Sequence, residues 1–160
     1  MKKINITAKH DKAEVLKLIE FVQSVTEAKC DEVHLNIKGT SGTVGGMAYF
    51  GVPKISNADN DAKYLVTLRV GSEYAFPHTS SVKKWVKKRG KWILHDTGRG
   101  YGGKSSPVYN MKTWQEGVIA VLAHELKHIW QYQNNAKRSE VEAEKEAARV
   151  LELYRGAVCI

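Results

Sequence analysis

Apolar residues recur along the chain in two rhythms, and the switch between them marks out its elements. Between Asp11 and Lys29, the residues Val15, Leu16, Leu18, Ile19, Phe21, Val22 and Val25 return at close to helical spacing, which predicts an amphipathic helix. A short strand-like segment, Lys3 to Thr7, precedes it. From Glu32 the pattern becomes an alternation of Val33, Leu35 and Ile37. A glycine-rich turn follows at Gly39 to Gly46, then strand-like runs at Met47 to Val52 and Tyr64 to Val70. Together these segments predict an antiparallel sheet.

Ser80 to Leu94 supports two readings. Val82, Trp85, Val86 and Arg89 suit a short helix, whereas Arg89-Gly90 between two Trp-bearing runs suits a hairpin. Asp96 to Asn110 is rich in glycine and proline with no apolar period, and reads as a loop. Helical spacing then resumes. Thr113 and Glu116 form a capping-box pair that opens a long helix to Gln133, and Asn134-Asn135 break it. A second helix is expected from Lys137 to Arg155. The class expected is α+β, with an antiparallel sheet packed on helices and the last two helices adjacent in sequence.

Composition narrows the possibilities. A chain of 160 residues fits one compact domain, 1–160, and its 42% hydrophobic content is ordinary for a globular protein. The longest uncharged apolar run, Val118 to Ala123, is far shorter than the roughly 20 residues a membrane helix needs. Charges return at Lys9 and Asp11 before a signal-peptide core develops. Cys30 and Cys159 have neither metal-site nor disulfide-scaffold spacing, so a reducing, cytoplasmic setting is expected, with both cysteines structural.

The net charge of +8 is concentrated in one stretch. Lys83, Lys84, Lys87, Lys88, Arg89, Lys91, Arg99 and Lys104 face the single acid Asp96, with Trp85 and Trp92 interleaved. Such a patch suits nucleic acid or an acidic partner; a solvated basic face is the simpler reading of the same residues.

The helix from Thr113 carries His124-Glu125-Leu126-Lys127-His128. Histidines four apart lie one turn apart on one helix face, where both can donate a ring nitrogen to a tetrahedral Zn²⁺. Glu125 falls within the apolar stripe of Trp114, Val118, Val121, Leu122, Ile129 and Tyr132, and the two histidines lie along its edge. Two imidazoles and a carboxylate buried without partners would cost several kcal/mol, a penalty that a divalent ion removes for the imidazoles. Glu125 is then placed to act as general base on a zinc-activated water.

A three-ligand site needs one more donor. No histidine follows His128, and Gln131 and Asn134 stand where a metzincin would carry glycine and histidine, so the donor is a carboxylate. Glu140, Glu142, Glu144 and Glu146 compete. Glu140 shares a helix face with Ala143, Ala147, Leu151 and Tyr154, the side expected to pack on the preceding helix. Glu142 is the rival ligand, although Ser139-x-x-Glu142 also offers it a capping role.

Val121 to Trp130 resembles the extended zincin pattern, apart from the charged Lys127. Together with His124-Glu125-x-x-His128, the segment Glu140-x-x-Ala143-Glu144 resembles the E-x-x-A-D segment of minimal gluzincin metallopeptidases. The resemblance covers residues 113–155 and implies a zincin-like fold, Zn²⁺ as cofactor and a protein or peptide substrate. It assigns His124, His128 and Glu140 to the metal, Glu125 to catalysis, and Glu144 to orienting His124. Glutamate replaces the usual aspartate at 144.

Gly98-Arg99-Gly100-Tyr101-Gly102-Gly103-Lys104-Ser105 also satisfies the phosphate-binding loop expression. The loop-like Ser106-Pro107-Val108 follows where that motif needs a helix, so nucleotide binding is not expected. A lid or cleft-shaping role fits the loop better. For a transition-state hydrogen-bond donor the candidates are Tyr132, Tyr109, Tyr101 and His95. The function expected is hydrolysis of peptide bonds. The alternatives are a basic nucleic-acid-associated or adaptor protein with structural or no zinc, and an amidase acting on something other than a protein chain.

Overall fold

The computed structural model describes residues 1–42, 44–50 and 63–158. In chain order the elements are β1 (Lys3–Ile6), α1 (Lys12–Val25), β2 (Val33–Thr40), β3 (Val44–Phe50), β4 (Tyr64–Gly71), β5 (His78–Thr79), β6 (Ser81–Lys88), β7 (Lys91–Gly100), β8 (Asn110–Met111), α2 (Trp114–Gln133) and α3 (Glu140–Val158). The class is α+β. Val52 and Cys159 lie outside the described residues, and Cys30 is a free thiol. No helix among the described residues is long and apolar enough to cross a membrane.

The main sheet has the order β1-β2-β4-β3 and is mixed, not antiparallel throughout. β1 pairs parallel with β2 and β2 parallel with β4, while only β3 runs antiparallel, against β4. The physical reason lies in the connections. A parallel neighbour needs a crossover, and α1 supplies it between β1 and β2. β4 inserts between β2 and β3, leaving β3 at the sheet edge among the described residues. The central strands are buried along most of their length: Val33, His34, Leu35 and Ile37 on β2, and Tyr64, Leu65, Val66, Leu68 and Val70 on β4.

α2 is the hub of the fold, packing on α1, α3, β3 and β4. Its Thr113 N-cap accepts from the Glu116 amide at 3.3 Å, and the Glu116 carboxylate reaches back to the Lys112 amide. Val118, Ile119, Leu122, Leu126 and Ile129 are fully buried, each contributing about 1.5–3 kcal/mol through lost apolar exposure. Ala143 and Ala147 on α3 are also fully buried, and these small side chains let α3 approach α2 closely.

The turn between these helices fixes the site. Asn135 adopts a left-handed φ of 52°, the Ala136 amide donates to Gln131 O and the Asn135 amide to Tyr132 O. This pair of bonds is a Schellman motif, which satisfies the last carbonyls of α2 and reverses the chain. Ser139 then caps α3, accepting from the Glu142 amide at 3.3 Å. α3 therefore starts at Glu140, three residues later than expected, because Lys137 and Arg138 belong to the reversal.

Ser80 to Leu94 resolves as a hairpin. Arg89 and Gly90, both with positive φ, form a two-residue turn whose twist matches that of the flanking strands. β7 continues to Gly100, so the first part of the expected loop at Asp96 to Asn110 is strand. Cross-strand pairing with β6 overrides its glycine content.

Candidate metal centre

His124 and His128 project from adjacent turns of α2, and the reversal at Asn135 brings Glu140 over them from the first turn of α3. His124 Nε2 and His128 Nε2 are 3.1 Å apart. Glu140 Oε2 lies 3.3 Å from the first and 3.4 Å from the second. These three donor atoms form a group that could hold a metal ion.

The tautomers follow from the surroundings. Gln131 Nε2 donates to Ser139 O at 3.2 Å while its Oε1 accepts from the Ser139 amide at 3.3 Å, which orients the amide. His128 Nδ1, 3.0 Å from that same Oε1, must carry the proton, so Nε2 presents a lone pair. On His124, Nδ1 faces Glu144 Oε1 at 3.4 Å, and a proton held there would leave Nε2 as a second lone pair. In that tautomer two lone pairs and a carboxylate oxygen converge with no hydrogen between them. That arrangement is repulsive unless a cation lies among them, and the donor set of two imidazoles and a carboxylate fits a divalent metal.

The electrostatics agree with a neutral His124 beside an ionised Glu140. Burial, with His128 alongside, lowers the His124 pKa to about 4 against the pull of Glu140. For Glu140, burial resists ionisation, but His128, His124 and Arg138 outweigh it and hold the carboxyl below its usual range. Arg138 Nη2 is 3.3 Å from Glu140 Oε1. Glu144 is pushed up to about 7 by burial, partly offset by the neighbouring Tyr109 phenol. Tyr109 is itself raised, chiefly by burial and then by Glu144.

Glu125 is buried beside the triad, and burial, reinforced by the charge of Glu140, raises its pKa to about 7 against the Ala48 amide. Edge strand β3 passes directly over it. A Cβ added at Gly46 would lie 2.6 Å from Val121 Cγ1 and 2.7 Å from Glu125 Oε1, so only glycine permits this approach. The triad, Glu125 and residues 44–48 of β3 line a cavity of about 450 Å³.

The other expected residues divide. Glu144 is buried against His124, whereas Glu142 is exposed and paired with Lys145 at 2.9 Å, outside the triad. Tyr101 and Tyr109 line the cavity. Tyr132 instead stacks on Phe50 at 4.9 Å, and His95 sits on β7 opposite Lys84. Three residues at the site had no role in the sequence reading: Gln131 behind His128, and His78 and Arg138 in the cavity wall. Gln131 was within reach, since it follows His128 by three residues and so shares its helix face. His78 and Arg138 carry no local signal. Around Lys104 no helix forms, so the glycine-rich segment lacks the frame of a phosphate-binding loop. Gly102 lies close against Val141 at the start of α3.

No family model, no curated protein and no solved structure matches this chain.

Proposed function

We infer that this protein is a zinc-dependent peptidase of the minimal gluzincin kind, with a zincin-like fold. His124, His128 and Glu140 hold the ion and Glu125 serves as the general base. The observation that carries the reading is the set of donor separations, 3.1, 3.3 and 3.4 Å. Ligands at about 2.0–2.1 Å from a tetrahedral ion stand about 3.3 Å from one another. When bound, the ion acts as a Lewis acid that polarises an amide carbonyl and acidifies water.

The chain's own groups supply the remainder. Glu125, with a pKa near neutrality, is suited to accept a proton from water and return it to the departing amine. Gln131 and Glu144 hold the two imidazoles in the tautomers that keep Nε2 directed at the ion. β3 favours a peptide over other amides. It is an edge strand lining the cavity, and an extended chain can pair with its outer backbone groups, with Gly45 and Gly46 offering no side chain to obstruct it.

The test is Glu125→Gln, assayed on an unfolded protein substrate alongside zinc analysis. Cleavage should fall by a factor of about 10²–10⁴ while roughly one zinc per chain is retained. Undiminished cleavage, or loss of zinc together with activity, would contradict the role given to Glu125.

A further inference from the structure

β6 and β7 form a two-stranded ribbon that packs chiefly on itself, and most of its residues are exposed. The register sorts its side chains. Lys83, Trp85 and Lys87 share a face with Asp96, Leu94 and Trp92 across the ladder. Lys84, Val86 and Lys88 share the other with His95, Ile93 and Lys91. Trp85 and Trp92 are each 65% exposed and Leu94 is 51% exposed, an arrangement that a lone ribbon in water does not stabilise.

The charge is equally uncompensated. Lys88 stands directly opposite Lys91, with Arg89 in the turn between them, although like charges across a ladder repel. The one acid, Asp96, is engaged at the ribbon base, accepting from Ser81 Oγ at 2.6 Å and from the Gly98 amide at 2.8 Å. The outer ribbon therefore presents lysines on both faces and two indoles on one, diagonal to each other at about 7–8 Å.

We propose that the β6–β7 ribbon is a binding arm for single-stranded nucleic acid, with the lysines contacting phosphates and Trp85 and Trp92 stacking on unpaired bases. Indoles alternating with cations along an open surface match the combination that binds single strands. A membrane-seated ribbon would instead separate its apolar face from its charges, and here lysines occupy both faces. The arm leaves and rejoins the body beside cavity-lining residues, next to Ser80 at one end and Tyr101 at the other.

The experiment is fluorescence anisotropy of a labelled oligothymidylate of about 15 nucleotides, titrated with the full chain in low salt. A duplex of the same length and vesicles of phosphatidylserine and phosphatidylcholine are run in parallel. The single strand should bind tightest. Trp85→Ala with Trp92→Ala should weaken it roughly five- to a hundredfold per indole. Lys84→Gln with Lys88→Gln keeps both indoles and should lower the slope of log K against log salt by about 0.7 per phosphate contact removed. Circular dichroism verifies folding of each variant. Absence of binding, preference for the duplex, binding to vesicles alone, or affinity unchanged by the loss of both indoles would each overturn the proposal.

Discussion

Glu144 Oε1 lies 3.4 Å from His124 Nδ1, on the side of the ring opposite the nitrogen that faces Glu140. One α3 residue thus addresses each side of the same imidazole, and the two carboxylates sit one helical turn apart. Glu140 faces Nε2 and Glu144 faces Nδ1.

Replacing Glu144 with alanine should therefore weaken zinc binding about 10–100-fold, because the imidazole loses the carboxylate that fixes its tautomer and orientation. Glu142→Ala provides the comparison, since the Glu142 side chain is exposed and pairs with Lys145, outside the triad. Competition with a chelating dye measures both. Equal affinities for the two variants would refute the positioning role of Glu144.

Gly45 and Gly46 are adjacent on β3 but differ in their surroundings. A Cβ at Gly45 meets nothing within 4 Å, whereas one at Gly46 collides with Val121 and Glu125. Gly46→Ala should cost about 1–3 kcal/mol in urea unfolding and displace the Glu125 carboxylate, reducing cleavage at least about tenfold. Gly45→Ala should leave both close to wild type. Equal behaviour of the pair would mean that β3 does not press on Glu125.

Glu116 ties the beginning of α2 to the end of α3. Arg155 Nε donates to its Oε1 at 2.9 Å and Nη2 to its Oε2 at 2.8 Å. Burial opposes ionisation here, but Arg155 and the Lys112 amide outweigh it, so the carboxyl titrates below its usual 4.5. A depressed folded-state pKa stabilises above the unfolded value and loses that stabilisation as the pH falls through the folded one. Stability from this contact should thus be complete above about pH 4.5 and decline in more acid solution. Arg155→Ala should cost about 2 kcal/mol near neutrality and flatten the decline below pH 4.5, as followed by urea unfolding at several pH values. An unchanged acid profile would show that the contact contributes nothing.

The chain's own order of residues was enough to locate α2 and α3 and to nominate His124, His128 and either Glu140 or Glu142 as metal donors; the fold decided for Glu140. Capping pairs, helical periodicity and the asparagine break all act within a few residues, so they survive being read without the rest of the fold. The same locality placed Ser139 at the cap of α3, although the Glu142 carboxylate turns to Lys145 and Gln131 takes the Ser139 amide. What local pattern could not supply was strand order. Alternation in β2 suggested antiparallel neighbours, yet the partner of a strand depends on crossovers, and the strand-helix-strand sequence of β1, α1 and β2 was the clue to a parallel pair. The fit of Gly46 over Glu125 arises from packing between β3 and α2. The network of Gln131, Ser139 and His128 needs α3 folded back before it exists. The choice of hairpin over helix at Trp85 and Trp92 rests on pairing between two strands. Each of these depends on contacts made only when distant segments meet, and there the energy of pairing and packing outweighs the preferences of any single segment.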